Sequence, residues 1–68
     1  MELKDFGLKV AMLRIKANLS AYELSMRIDK DASYISKLEN GKINISLKTM
    51  FKICEVLEIE PVELFKSE

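Results

Sequence analysis

Histidine is absent from this 68-residue sequence, cysteine and proline occur once each, and glycine twice. Without imidazole there are no Ser/His or Cys/His pairs to activate a hydroxyl or thiol nucleophile. Cys54 alone, with no histidine beside it, cannot supply the ligands of a structural zinc, and it has no second thiol for an internal disulfide. No Gly-rich phosphate loop is present. The eleven carboxylates could in principle furnish an acid/base pair, but on a domain this small they are ordinarily solvated. No apolar run approaches the roughly 20 residues of a membrane span. The opening residues, "MELKDFGLKV", lack the continuous apolar segment and small-residue cleavage site of a signal peptide. The expectations are a cytoplasmic protein with no catalytic activity, no cofactor, no metal, no membrane contact and no small-molecule ligand. An excess of charge is missing as well, since 11 basic residues balance 11 acidic ones, so the overall basic footprint of many nucleic-acid binders is lacking.

What is present is a folding composition. With 49% apolar and 32% charged residues the chain reads as one globular domain over residues 1–68, and the scarcity of turn residues favours helices over sheets. The charge is unevenly spread. Residues 1–18 carry four Lys/Arg against two Asp/Glu, residues 19–42 carry four against four, and residues 43–68 carry three against five. A polyanion should therefore meet the N-terminal two-thirds, with Glu55, Glu58, Glu60, Glu63 and Glu68 forming a solvated face turned away from it.

Periodicity and caps place five helical segments. Phe6, Val10, Leu13 and Ala17 recur at four, three and four, the inward stripe of a first helix ending near Asn18. "SAYE", Ser20 to Glu23, matches a capping box and starts a second helix at Ala21, whose inward residues are Ala21, Leu24 and Ile28. The helix stops at "DKD", where Asp29 can tolerate a left-handed backbone and Asp31 can cap the next helix. In "ASYISKLENGK", Ala32 to Lys42, Ile35 and Leu38 make an apolar face, while Ser33, Ser36, Lys37 and Asn40 fall at i, i+3, i+4, i+7 and make a polar one. Gly41 supplies the φ > 0 residue that closes this third helix. Ser46 caps a fourth, with Leu47, Met50, Phe51, Ile53, Cys54 and Leu57 inward and Cys54 acting as core filler. Pro61 opens a short fifth carrying Val62, Leu64 and Phe65.

Two short helices joined by a tight turn fit a helix-turn-helix or a generic helical bundle. The residues say more. "LSAYELSMRIDKDASYISKLENGK" followed by "SLKTMFKICEVLEIEPVELF" resembles the Cro and phage-repressor type of helix-turn-helix family, often called the XRE family, from Phe6 to Phe65. The resemblance implies an all-α, five-helix, lambda-repressor-like domain, with its motif at about residues 20–40. It implies a transcriptional regulator, a small repressor, that binds double-stranded DNA as a homodimer. Ala32 to Glu39 would be the recognition helix, laid in the major groove. On it Ala32, Ser33, Ser36 and Lys37 would read bases, and lysine suits the acceptor edge of guanine. Asn40, Lys42 and Asn44 beyond the helix, with Ser20, Ala21 and Tyr22 at the start of the second, would contact phosphates. Arg14 and Glu39 would form a structural ion pair, and Ser25, where the family prefers Ala, would be a small residue at a close helix crossing.

The chain also departs from the family pattern. Ala21 and Ala32 stand where Gln is frequent, so two long amides are missing. Asp29 and Glu58 stand where Gly is usual, and the acidic Asp31 begins the recognition helix although it must face a polyanion. Those departures and the zero net charge keep a second reading open, a protein-interaction module that retains the fold without DNA binding. Tyr22 and Tyr34 could lie against the DNA backbone or pack their rings on the surface. Val62, Leu64 and Phe65 either complete the core or form a dimer seam, and the seam is the expectation.

Overall fold

A computed structural model describes residues 1–66, and the expectation for Glu68 lies outside them. The described residues form helices α1 (Leu3–Lys16), α2 (Ala21–Arg27), α3 (Tyr34–Glu39) and α4 (Leu47–Leu57), with one 3₁₀ turn, Pro61–Leu64, after them. The architecture is all-α. The helix count is four rather than five, because the segment opened by Pro61 completes only a 3₁₀ turn.

Local chemistry sets the boundaries. Asp5 accepts from the Glu2 amide at 2.8 Å at the start of α1. Ser20 Oγ accepts from the Glu23 amide at 3.0 Å, and Glu23 accepts from the Ser20 amide at 2.9 Å, so the capping box is complete. Ser46 Oγ accepts from the Thr49 amide at 3.1 Å and starts α4. Asn18, Asp29, Glu58 and Gly41 turn the chain with φ of 61°, 60°, 57° and 71°. Three of these four are not glycine, and Glu58 has no short side chain to ease the left-handed conformation. Glu58→Gly is expected to stabilise the fold by about 0.5 to 1 kcal/mol, the relief of that conformation less the freedom glycine adds to the unfolded chain. The melting temperature should rise by a few degrees, at about 4 to 8 °C per kcal/mol. An unchanged or lower value would mean that the Glu58 backbone carries no penalty.

The core gathers Phe6 and Val10 of α1, Leu24 and Ile28 at α2, Ile35 and Leu38 of α3, and Met50, Ile53, Cys54 and Leu57 of α4. Three inward assignments need correction. Ala17 is exposed, because it caps α1 beyond its last buried turn. Leu47 and Phe51 are 66% and 54% exposed. They stand one turn apart on the flank of an apolar face wider than the rest of the domain can cover. Leu64, read as part of a dimer seam, is fully buried, whereas Val62 and Phe65 on the same turn face out. The tight 3₁₀ winding points Leu64 into the core and aligns positions 62 and 65 on the other side.

Cys54 sits in this core at 4% exposure. Burial pushes its thiol up, helped by the negative charges of Glu60 and Glu63. Alkylation of the native protein should accordingly be slow and become fast only on unfolding. Rapid native labelling would require α4 to turn a different face to the core.

Glycine is demanded at two places where α1 meets the end of α3. A Cβ on Gly7 would lie 2.5 Å from the Leu38 carbonyl oxygen and 2.6 Å from that of Glu39. A Cβ on Gly41 would lie 2.9 Å from Lys4 Cα.

Candidate nucleic-acid interface

Helices α2 and α3 are joined by the turn Ile28 to Ser33 and held by one buried serine. Ser25 is fully buried. Its hydroxyl donates to the Ala21 carbonyl at 2.8 Å and accepts from the Ile35 amide at 3.0 Å. The amide of Ile35 belongs to the first turn of α3, where backbone donors have no helical partner. Ser25 is small enough for the close crossing and also satisfies this amide, a role that its residue type alone did not reveal.

The far end of α3 is clamped to α1. Arg14 Nε meets Glu39 Oε2 at 2.7 Å and Arg14 Nη2 meets Glu39 Oε1 at 3.1 Å, a two-pronged pair. Nη1 donates to the Leu19 carbonyl at 2.8 Å, so the same guanidinium holds the α1–α2 loop. The side chains are 15% and 12% exposed. The hydrogen bonds to Glu39 push the Arg14 pKa upward, against the opposing effect of burial.

Between these anchors α3 buries Ile35 and Leu38 and exposes the opposite face. Ser33, Ser36, Lys37 and Asn40 are all exposed there. The helix begins two residues later than Ala32, so Ala32 and Ser33 lie in the turn, and Ser33 is the residue preceding its first turn. Asp31 Oδ1 accepts from both the Ser33 amide, at 3.1 Å, and the Ser33 hydroxyl, at 3.0 Å. Those two bonds, the hydroxyl's first, hold the Asp31 carboxyl below its ordinary range. Asn40 Nδ2 donates to the Ser36 carbonyl at 2.8 Å, which folds that side chain onto the end of α3.

The flanking candidates differ in their freedom. Lys42 and Asn44 are exposed in the loop after Gly41. Ser20 and Tyr22 are exposed at the start of α2, while Ala21 is half-buried against the core. Tyr34 is half-buried, with the Lys30 ammonium 5.2 Å from its ring centroid. Burial pushes its hydroxyl up, partly offset by a hydrogen bond with Thr49. The two tyrosines therefore separate. Tyr22 is exposed, and Tyr34 is packed against the core with its hydroxyl bonded to Thr49 of α4. Val62 and Phe65 stand apart from this surface on the 3₁₀ turn, with the Phe65 ring 5.8 Å from that of Phe6. Among the described residues no group of His, Cys, Asp and Glu is placed to hold a metal ion, and no helix is long and apolar enough to cross a membrane.

The arrangement recurs in known proteins. Residues 10–64 match the model of a helix-turn-helix family. The chain is 44% identical over 63 residues to control protein C.MunI of a Mycoplasma species, covering 91% of this chain and 85% of that protein. It is 38% identical over 60 residues to control protein C.BamHI of Bacillus amyloliquefaciens, covering 87% and 74%. The crystal structure of the restriction-modification controller protein C.AhdI of Aeromonas hydrophila superposes with a TM-score of 0.87 at 38% identity, over 93% of this chain and 91% of that one. With a family match across most of its length, and relatives of this identity and coverage, the chain belongs to the Cro and phage-repressor type of helix-turn-helix family.

Proposed function

We propose that this protein is a DNA-binding transcriptional regulator of the restriction-modification control type, acting on duplex DNA as a homodimer with α3 in the major groove. The observation that carries the reading is the split of α3, whose inward residues are locked into the core while Ser33, Ser36 and Lys37 stand together on its open side. A helix held from behind by Ser25 of α2 and Arg14 of α1 is a rigid platform for side chains that face base edges. Kinship with three control proteins supports the same assignment.

In this reading Lys37 is the main base-reading group, because it alone on the stripe combines charge with reach, and Ser36 lies beside it. Lys42, Asn44 and Asn40 serve phosphates on one flank, and Ser20, Ala21 and Tyr22 serve them on the other. Such contacts position the domain without carrying sequence information. The second copy is placed on the exposed apolar residues of α4 and the 3₁₀ turn. The exposed Leu3, Leu47 and Phe65 and the buried Met50 border a groove of about 310 Å³, and Phe51 and Val62 are exposed as well. Val62 and Phe65 keep their part in the seam, and Leu47 and Phe51 take the place of the buried Leu64.

Titration of duplex binding against salt tests this function. Affinity should fall steeply with salt, as counterions are released from phosphates. Lys37→Ala should cost about 1 to 3 kcal/mol on the preferred site and flatten one base position. Lys42→Ala should weaken all duplexes alike and reduce the salt slope by about one. Footprinting should find two half-sites whose centres are about 34 Å apart or a multiple of that. If both lysine variants bind like the parent, or no duplex binds at low salt, the α3 face is only solvated. The protein-interaction reading, to which Ala21, Ala32 and Asp31 lend themselves, then replaces this one.

A further inference from the structure

We propose that Asp31 sets the base preference of Ser33 by holding its proton, so that Ser33 offers the major groove only oxygen lone pairs and reads an exocyclic amino group, cytosine first and adenine second. The inference rests on the DNA-binding reading above and concerns which bases that surface selects.

The hydroxyl geometry carries it. Ser33 Oγ lies 3.0 Å from Asp31 Oδ1. A carboxylate ionised near neutral pH has no proton to give, so the hydrogen in this contact belongs to the serine. The amide of Ser33 reaches the same Oδ1 at 3.1 Å and keeps the two residues in register. Serine has one proton and two lone pairs, and with the proton committed inward the lone pairs remain for a ligand. An uncommitted serine can serve either as donor or as acceptor.

Neighbouring groups sharpen the consequence. Ala32 brings no hydrogen-bonding side chain, and Asn40 Nδ2 already donates to the Ser36 carbonyl. The reading face is then polar along its length, accepting at Asp31 and Ser33 and donating at Lys37. Guanine presents N7 and O6 and thymine presents O4, all acceptors, which meet Ser33 and the nearby carboxylate with repulsion. Cytosine presents its N4 amino group. Adenine presents N6 beside the N7 lone pair, so it ranks second next to an anion. Asp31 thus acts as a positioning residue, excluding a guanine contact that serine could otherwise make, at the cost of a negative charge near phosphates.

Selection from randomised duplexes with the whole chain and its Ser33→Ala, Asp31→Asn and Asp31→Ala variants tests this. The position whose preference Ser33→Ala flattens should hold cytosine, then adenine, favoured about three- to tenfold, the range of one net hydrogen bond. Asp31→Asn keeps an accepting oxygen and should retain that preference while binding every duplex more tightly. Asp31→Ala releases the hydroxyl and should admit guanine and thymine there. Guanine preferred at the Ser33-dependent position of the parent chain overturns the proposal without use of any Asp31 variant. So does an Asp31→Ala protein that folds, binds and keeps the parent preference. Failure of the parent chain to bind any duplex is a different result and defeats the DNA-binding reading as a whole.

Discussion

Gly7→Ala should lower the stability of this domain by about 2 to 3 kcal/mol, although alanine is the better helix former by about 1 kcal/mol. The added Cβ would meet the backbone carbonyl oxygens of Leu38 and Glu39 at 2.5 and 2.6 Å. Neither oxygen can swing aside as a flexible side-chain end could, so α1 must move away from α3, and overpacking of this kind typically costs about 1 to 3 kcal/mol or more. A domain of this length has roughly 3 to 10 kcal/mol of total stability, so the loss is a large share of it. Thermal melting should show a drop of about 10 to 20 °C. A variant that melts higher than the parent, as propensity alone would have it, would mean that α1 and α3 are further apart than described.

Arg14→Ala should be at least as damaging, costing about 3 to 5 kcal/mol. It removes both prongs to Glu39 and the bond to the Leu19 carbonyl, and leaves a carboxylate that is only 12% exposed without its cation. Arg14→Lys should recover part of the loss, since an ammonium keeps the charge but not the planar fork. The double variant Arg14→Met, Glu39→Met should be much closer to the parent than either single change, because it removes both charges together. Melting curves of the parent, the two single methionine variants and the double form a thermodynamic cycle, and additive losses would show that the pair does not act as a unit. The ion pair lies behind α3 rather than on its open face. Its loss should lower DNA affinity only as far as it loosens the recognition surface.

The parts of this fold that could be read along the chain are those written in local chemistry. The reciprocal hydrogen bonds of Ser20 and Glu23, the Ser46 cap and the left-handed residues Asp29 and Gly41 all act within a few residues, so residue type and spacing suffice. The buried face of α3 was legible for a similar reason, as Ile35 and Leu38 stand at helical spacing. The Asp31 to Ser33 contact is also local, an Asx-type bond two residues long. An acid two places before a serine at a helix start was its signal. Gly7 carried a signal too, since glycine inside a helical pattern often marks a close approach.

Sequence alone determined an all-helical chain with this cap pattern and an exposed polar face of Ser33, Ser36 and Lys37, because each depends on neighbours three or four residues away. Tertiary structure decided the rest. Leu47, Phe51 and Leu64 are all apolar, and nothing in their spacing says that the first two stay half-exposed or more while the third is fully covered. The difference arises because a domain of this size has too little mass to cover every apolar face, and which one is left open depends on where distant helices come to rest. The same holds for Ser25, whose hydroxyl acquires a purpose only when the Ile35 amide, ten residues on, is brought to within 3.0 Å of it.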